Sequence, residues 1–188
     1  MDKILLVDDE PLVLQALSRG LRPHLAQGMA AGVHLEMHHD PVQACRRLRE
    51  SRFAVVLSDF RMPAMDGIEL LREARAHQPL ATRMILSASN DISTVMQALN
   101  DAEVFRYLSK PWDLGLLVLQ LHGALKRHHA LRTQQGLADA MQVLTGDMSP
   151  QAAEMRRLEA EEPGITKVDW GPMGEVLLPP LPREEPGS

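Results

Sequence analysis

"FAVVLSDFRMPAMDG" (Phe53–Gly67) decides the fold. It opens as a short, unbroken apolar run, the pattern of a strand buried on both faces. Where that run ends the chain places one carboxylate, Asp59, and then a turn-rich Met-Pro-Ala-Met-Asp-Gly stretch. A carboxylate at the edge of a core needs a reason, and the reason depends on what ends the neighbouring strands.

Working outward, the same alternation of strand and helix fills the first 130 residues. "KILLVDD" is an apolar run followed by "EPLVLQALSRGLRPHL", with Pro11 near a helix start and leucines at helical spacing. "VHLEMHH" alternates like an edge strand, and "DPVQACRRLRES" opens with an Asp N-cap and a first-position proline. After the Phe53 strand come "MDGIELLREARAHQ" as helix, "TRMILSAS" as strand and "NDISTVMQALNDA" as helix. In that last helix Ile92, Val95, Met96 and Leu99 share one face. "VFRYLSK" is the fifth strand and "DLGLLVLQLHGALKRHHALR" a long fifth helix. Such alternation predicts an α/β fold, a five-stranded, doubly wound parallel sheet with both faces covered. "AQGMAAG" (Ala26–Gly32) is expected as a surface loop.

The composition agrees with a soluble chain. Hydrophobic residues make up 45% of the 188 positions and charged residues 24%, enough for a proper core. A net charge of −5 argues against binding nucleic acid through bulk basicity. The four apolar residues before Asp8 are too few for a signal-peptide core, and "LGLLVLQLHGAL" is too short for a membrane span. The single cysteine, Cys45, sits at helical spacing from Val42 and Leu48 and is expected as a buried core thiol. A cytoplasmic setting is the expectation, with no membrane partner.

In open parallel sheets ligands bind outside the carboxyl ends of the strands. Here the first strand ends in Asp8 and Asp9, the third in Asp59, the fourth in Ser87 and the fifth in Lys110. Three carboxylates at one edge repel unless a cation sits among them, and a hard divalent ion such as Mg²⁺ suits oxygen ligands. A lysine and a hydroxyl at the same edge suit phosphoryl oxygens. Lys110 is one of only four lysines beside sixteen arginines, which makes a chance placement there less expected. "HHD" (His38–Asp40) lies where a strand meets its helix and is expected to be structural.

"LLVDDE", "LSDFRMPAMDG", "ILSAS" and "FRYLSKPW" stand at four successive strand ends, and in this order they resemble the receiver domain of two-component response regulators over residues 3–125. The resemblance implies a flavodoxin-like sheet of order 2-1-3-4-5. It implies Asp59 as phosphoacceptor, a carboxylate nucleophile that forms an acyl phosphate. It implies Asp8 and Asp9 as the acidic pair for Mg²⁺, joined by Asp59 and the Arg61 carbonyl. Ser87 would be the switch hydroxyl, Tyr107 the switch aromatic, and Lys110 the phosphate-contacting lysine, its bond to Pro111 cis. A sensor histidine kinase or phosphotransfer protein would supply the phosphoryl group, and a downstream protein would receive the signal.

Two other classes compete. A Mg²⁺-dependent aspartyl-phosphate phosphohydrolase would want a second acid two residues beyond the nucleophile, where this chain has Arg61. A phosphorylation-independent adaptor would not need the intact acidic set.

The organisation expected is a receiver at 1–128, a helical extension at 129–162 and a Pro/Gly-rich tail at 163–188. "LRTQQGLADAMQVL" and "SPQAAEMRRLEAEE" have helical patterns, the second with a Ser N-cap. Six prolines in the last 26 residues preclude a regular helix there, while Gly171-Pro172-Met173-Gly174 predicts the turn of a small hairpin that carries Trp170. The basic cluster Lys126, Arg127, His128, His129 and Arg132 is expected as a solvated helix face, with no nucleic acid bound. Leu114, Leu117, Leu121, Ala124, His128, Leu131, Gln135 and Ala138 recur at three- and four-residue spacing, a weak seam whose first half must already pack on the sheet. A homodimer through the extension and tail is the expectation. "FRYLSKPW" is similar to receivers fused to cyclic-dinucleotide phosphodiesterases, yet the catalytic signatures of such modules are absent from the sequence.

Overall fold

The computed structural model describes residues 1–25, 32–88, 100, 102–161, 163–166, 169–170 and 176–177. Five parallel strands form the sheet: β1 (Lys3–Val7), β2 (His34–His38), β3 (Val55–Asp59), β4 (Thr82–Ser87) and β5 (Val104–Ser109). Their order is β2-β1-β3-β4-β5, as the resemblance implied. Helices α1 (Pro11–Leu25), α2 (Pro41–Glu50), α3 (Gly67–His77), α4 (Leu114–Thr145) and α5 (Pro150–Glu161) complete the main elements. The helix expected from "NDISTVMQALNDA", apart from Asn100 and Ala102, and the Ala26–Gly32 loop, apart from Gly32, lie outside the described residues.

Burial explains the strand patterns. Every residue of β3 and β4 is buried, in keeping with the apolar stretches Val55, Val56, Leu57 and Met84, Ile85, Leu86 within them. Alternate residues serve opposite faces. Ile4, Leu6, Val55, Leu57, Met84 and Leu86 pack under α1 and α4. Leu5, Val7, Val56 and Ile85 pack under α2 and α3. β2, with one neighbour and half-open burial, is the edge strand its alternation predicted.

Local signals set the helix boundaries. The Asp40 carboxylate accepts the Val42 amide at 2.8 Å and Pro41 occupies the first helical position of α2. Asp66 and Glu69 form a reciprocal capping box on α3. Asp113 caps α4, which runs unbroken to a left-handed Gly146 with φ of 81°. Ser149 starts α5 by accepting the Ala152 amide at 3.1 Å.

α5 folds back along the second half of α4. Arg156 pairs with Asp139 at 2.8 Å, and Arg52 reaches across from the sheet domain to the Glu159 carbonyl at 2.9 Å. The last two strands, β6 (Asp169–Trp170) and β7 (Val176–Leu177), pair antiparallel as the expected hairpin, and the turn at 171–174 lies outside the described residues.

One expectation needs correction. The basic cluster is not one solvated face: His128 is buried, its Nδ1 at 2.8 Å from the Leu80 carbonyl. His129 instead pairs with Asp2 at 2.7 Å, and the Arg127 guanidinium stands over the Phe105 ring. Cys45 is a buried thiol of α2, as its spacing predicted, while Val42 one turn earlier is exposed. Among the described residues, no helix is long and apolar enough to cross a membrane.

Candidate phosphoryl-acceptor site

Parallel pairing brings all five carboxyl ends to one edge, and the register sets their relative heights. β1 stops at Val7, so Asp8 is the first residue beyond the ladder, while Asp59 is the last residue of β3. Both carboxylates are nearly enclosed, Asp8 at 2% and Asp59 at 7% exposure. Lys110 follows β5 directly, and its amide donates to the Ser87 carbonyl at 2.8 Å. That bond ties the lysine to the end of β4. The Lys110–Pro111 peptide is cis.

The lysine then bridges two strands' acids. Its Nζ stands 2.7 Å from Asp8 Oδ2 and 2.9 Å from Asp59 Oδ1. The other oxygen of each carboxylate is oriented by the backbone: Asp8 Oδ1 accepts the Glu10 amide at 3.0 Å, and Asp59 Oδ2 accepts the Arg61 amide at 2.8 Å. Ser58 donates to the Asp59 carbonyl at 2.8 Å. The Asp59 side chain is therefore held by a cation on one side and a main-chain donor on the other.

Electrostatics put this site under load. Burial pushes the Asp8 carboxyl above its ordinary pKa, and the Lys110 hydrogen bond offsets that only in part. For Lys110, burial works against the ammonium, but hydrogen bonds and charge attraction from Asp59 and Asp8 outweigh it and raise its pKa. Asp9 is half-exposed next to Asp8. Ser87 is buried at the end of β4, and Tyr107 is half-buried on β5 against the core beneath α2 and α3.

Among the described residues, no three acidic, imidazole or thiol side chains gather into a closed metal cage. The convergent donors are two hard, nearly enclosed carboxylates at the carboxyl ends of β1 and β3. Such a set fits Mg²⁺, which is typically held by one or two carboxylates and keeps several waters.

The sequence reading missed Gly67. Its amide donates to the Phe60 carbonyl at 2.9 Å, and a Cβ there would stand 2.0 Å from the Asp59 carbonyl oxygen. The "MDG" wording was visible, but the close approach behind it is a tertiary fact. It also missed Arg83, buried on β4, which donates from Nε to the Ala102 carbonyl at 2.8 Å and from Nη1 to the Ala81 carbonyl at 2.7 Å.

Comparison with known proteins identifies the family of the fold. Residues 4–122 match the family described as response regulator receiver domain. The transcriptional regulatory protein ZraR of Klebsiella oxytoca is 36% identical over 125 residues, covering 65% of this chain and 26% of that protein. The regulatory protein AtoC of Escherichia coli is 34% identical over 133 residues, covering 67% of this chain and 26% of its own length. This chain thus spans about a quarter of those relatives. The signal receiver domain of an HD domain-containing protein from Pseudomonas fluorescens superposes with a TM-score of 0.63 at 35% identity, covering 70% of this chain and 92% of that one. A structure described as adenylate cyclase from Rhodopirellula baltica gives 0.64 at 28% identity, covering 73% and 96%. With sheet order and family match in agreement, this chain belongs to the response regulator receiver domain family of two-component signalling.

Proposed function

We propose that the chain is a phosphorylation-switched signalling protein whose phosphoacceptor is Asp59. The observation that carries this is the Lys110 ammonium shared between the enclosed Asp8 and Asp59 carboxylates. A lone buried carboxylate would be a poor acceptor for an anionic group, because the product adds charge to charge. Lys110 offers donors that can turn from carboxylate to phosphoryl oxygen without leaving the site. The Asp59 oxygen bonds to phosphorus as the donor's phosphorus–nitrogen bond breaks, and the electron pair leaves on the donor imidazole.

Receivers generally bind Mg²⁺. Here Asp9, Asp59 and the Arg61 carbonyl, with Asp8 directly or through water, would hold it. When bound, it supplies positive charge against the phosphoryl oxygens. The phosphoryl donor is then a sensor histidine kinase or a phosphotransfer protein, met in the cytoplasm. With Mg²⁺ and acetyl phosphate, intact mass should gain one phosphoryl group, and Asp59→Asn should gain none. Equal modification of Asp59→Asn would overturn the assignment, and steady turnover of generic phosphomonoesters would favour a phosphohydrolase instead.

Ser87 and Tyr107 complete the switch in this reading. Phosphorylation draws the Ser87 hydroxyl to the phosphoryl group and lets Tyr107 rotate inward, biasing a two-state equilibrium. Hydrogen exchange with beryllofluoride and Mg²⁺ should change first along Val104–Trp112. Changes confined to α1 and α2 would contradict this.

The output is a protein–protein contact, with a receiver at 1–128, a helical extension at 129–162 and a tail at 163–188. The seam noted in the sequence is largely consumed internally, since Leu117, Leu121, Ala124 and His128 are buried. Leu137, Met141 and Leu144 instead leave an exposed stripe at helical spacing on α4, open to a partner or a second copy. Light scattering of the full chain should show a dimer that Leu137→Glu with Leu144→Glu returns to monomer. A monomer at every concentration would exclude the second copy.

A further inference from the structure

At the amino ends of the strands, opposite Asp59, the returned α5 and the sheet domain form the walls of an open cleft of about 780 Å³. That volume lies in the range of small-molecule sites. The cleft exists because α4 overruns the domain and α5 comes back beneath it.

The cleft's charges are unevenly committed. Its acids are engaged within the protein. Asp2 pairs with His129 at 2.7 Å, Glu159 accepts the Gly164 amide and the Thr166 hydroxyl, both at 2.7 Å, and Glu161 pairs with Arg157. Two of its bases make hydrogen bonds only to neutral groups. Lys3 Nζ donates to Ser51 Oγ at 2.7 Å. The next residue, Arg52, donates to the His77 and Glu159 carbonyls, each at 2.9 Å, and its Nε is buried with no partner. Burial depresses the Arg52 pKa, with the charge of Glu159 opposing that. Cations fixed in this way favour a mobile anion. Pro79, Leu80 and Ala81 supply an apolar wall beside them.

We propose that this cleft binds a small organic anion, a phosphate or carboxylate head set between Lys3 and Arg52 with a flat apolar body against Pro79 and Leu80. Because Arg52 also holds α5 through the Glu159 carbonyl, an occupant here would fasten the helical extension to the domain.

The test is titration of the full chain in Mg²⁺-free buffer at low salt with phenyl phosphate, AMP, benzoate and inorganic phosphate. Amide NMR shifts should be followed at Lys3, Arg52 and Leu80. Saturable binding of phenyl phosphate or AMP with Kd below about 1 mM is expected. Comparable binding of benzoate would assign a carboxylate-tolerant head, and its absence a phosphate-selective one. Lys3→Gln should weaken binding about tenfold or more, since a charged hydrogen bond is lost, while circular dichroism stays unchanged. Arg52→Gln should act likewise, and if it fails to fold, Lys3→Gln still decides. No saturable binding by any probe, unchanged affinity in Lys3→Gln, or shifts confined to the Asp59 end would each overturn the proposal. So would inorganic phosphate binding as tightly as phenyl phosphate, because the apolar wall would then contribute nothing.

Discussion

Lys110→Ala should lower stability in metal-free buffer by about 3 kcal/mol at neutral pH and slow phosphorylation by acetyl phosphate by at least about tenfold. The Lys110 side chain is 14% exposed, and those of Asp8 and Asp59 are 2% and 8% exposed. Removing the shared cation leaves two carboxylates facing each other with little water to screen them. The pH dependence follows from the direction of each shift. The folded Lys110 pKa is raised above 10.5, so its contribution is complete below that value and is lost as pH rises through the folded pKa. Asp8 runs the same way with pH, though here the charged form is the disfavoured one. Its pKa is raised above 3.8, so folding favours the neutral acid, and charged Asp8 costs stability once pH rises through its folded value. Without Lys110 the Asp8 pKa climbs further. The gap between wild type and Lys110→Ala should therefore narrow as pH falls toward about 4. Mg²⁺ should restore more stability to the variant than to wild type, because it replaces the missing positive charge. Asp9→Ala should instead lose part of the Mg²⁺ response and keep the metal-free stability. Urea midpoints at two pH values, with and without Mg²⁺, measure all of this. Equal midpoints for wild type and Lys110→Ala would mean that the ammonium only caps a strand end.

The same physics explains which features could be read from the sequence. Asp8, Asp59, Ser87 and Lys110 are legible because parallel strands place their carboxyl ends at one edge, so local strand limits suffice to gather distant residues. Caps such as Asp40-Pro41 and Ser149-Pro150 act over a few residues and are equally visible. Gln78 is different. Its side chain accepts the Phe53 amide at 2.8 Å and donates to the Leu48 and Ser51 carbonyls, contacts some 25 to 30 positions away. No period or spacing marks a glutamine for that task. Arg83 is hidden in the same way, since an arginine within an apolar run gives no hint that Ala81 and Ala102 carbonyls await it. His128 shows how two patterns conflict. Its charge class grouped it with Lys126 and Arg127, while its spacing from Leu121 and Ala124 put it on the buried face, and the buried face prevailed.

Gly67→Ala is the smallest change expected to damage the site. The added methyl would stand 2.0 Å from the Asp59 carbonyl oxygen, 3.0 Å from the Asp59 carbonyl carbon and 3.1 Å from Phe60 Cα. All three are backbone atoms, so no rotamer change relieves the overlap. Either α3 lifts away from β3 or the Asp59–Phe60 peptide moves, and each breaks a bond that sets the acceptor. Lifting α3 strains the Gly67 amide to Phe60 carbonyl bond, and moving the peptide disturbs the Arg61 amide that orients Asp59 Oδ2. A loss of about 3 kcal/mol or more is expected, at the upper end of overpacking costs, together with slower phosphorylation in whatever still folds. Gly136→Ala is the matched control. Gly136 lies inside α4 with nothing within 4 Å of an added Cβ, so alanine there should stabilise by about 0.5–1 kcal/mol through helix propensity alone. The two substitutions are chemically identical and should move the urea midpoint in opposite directions. If Gly67→Ala instead matched wild type in midpoint and phosphorylation rate, the contact between α3 and the acceptor strand would have to be looser than the 2.0 Å approach requires.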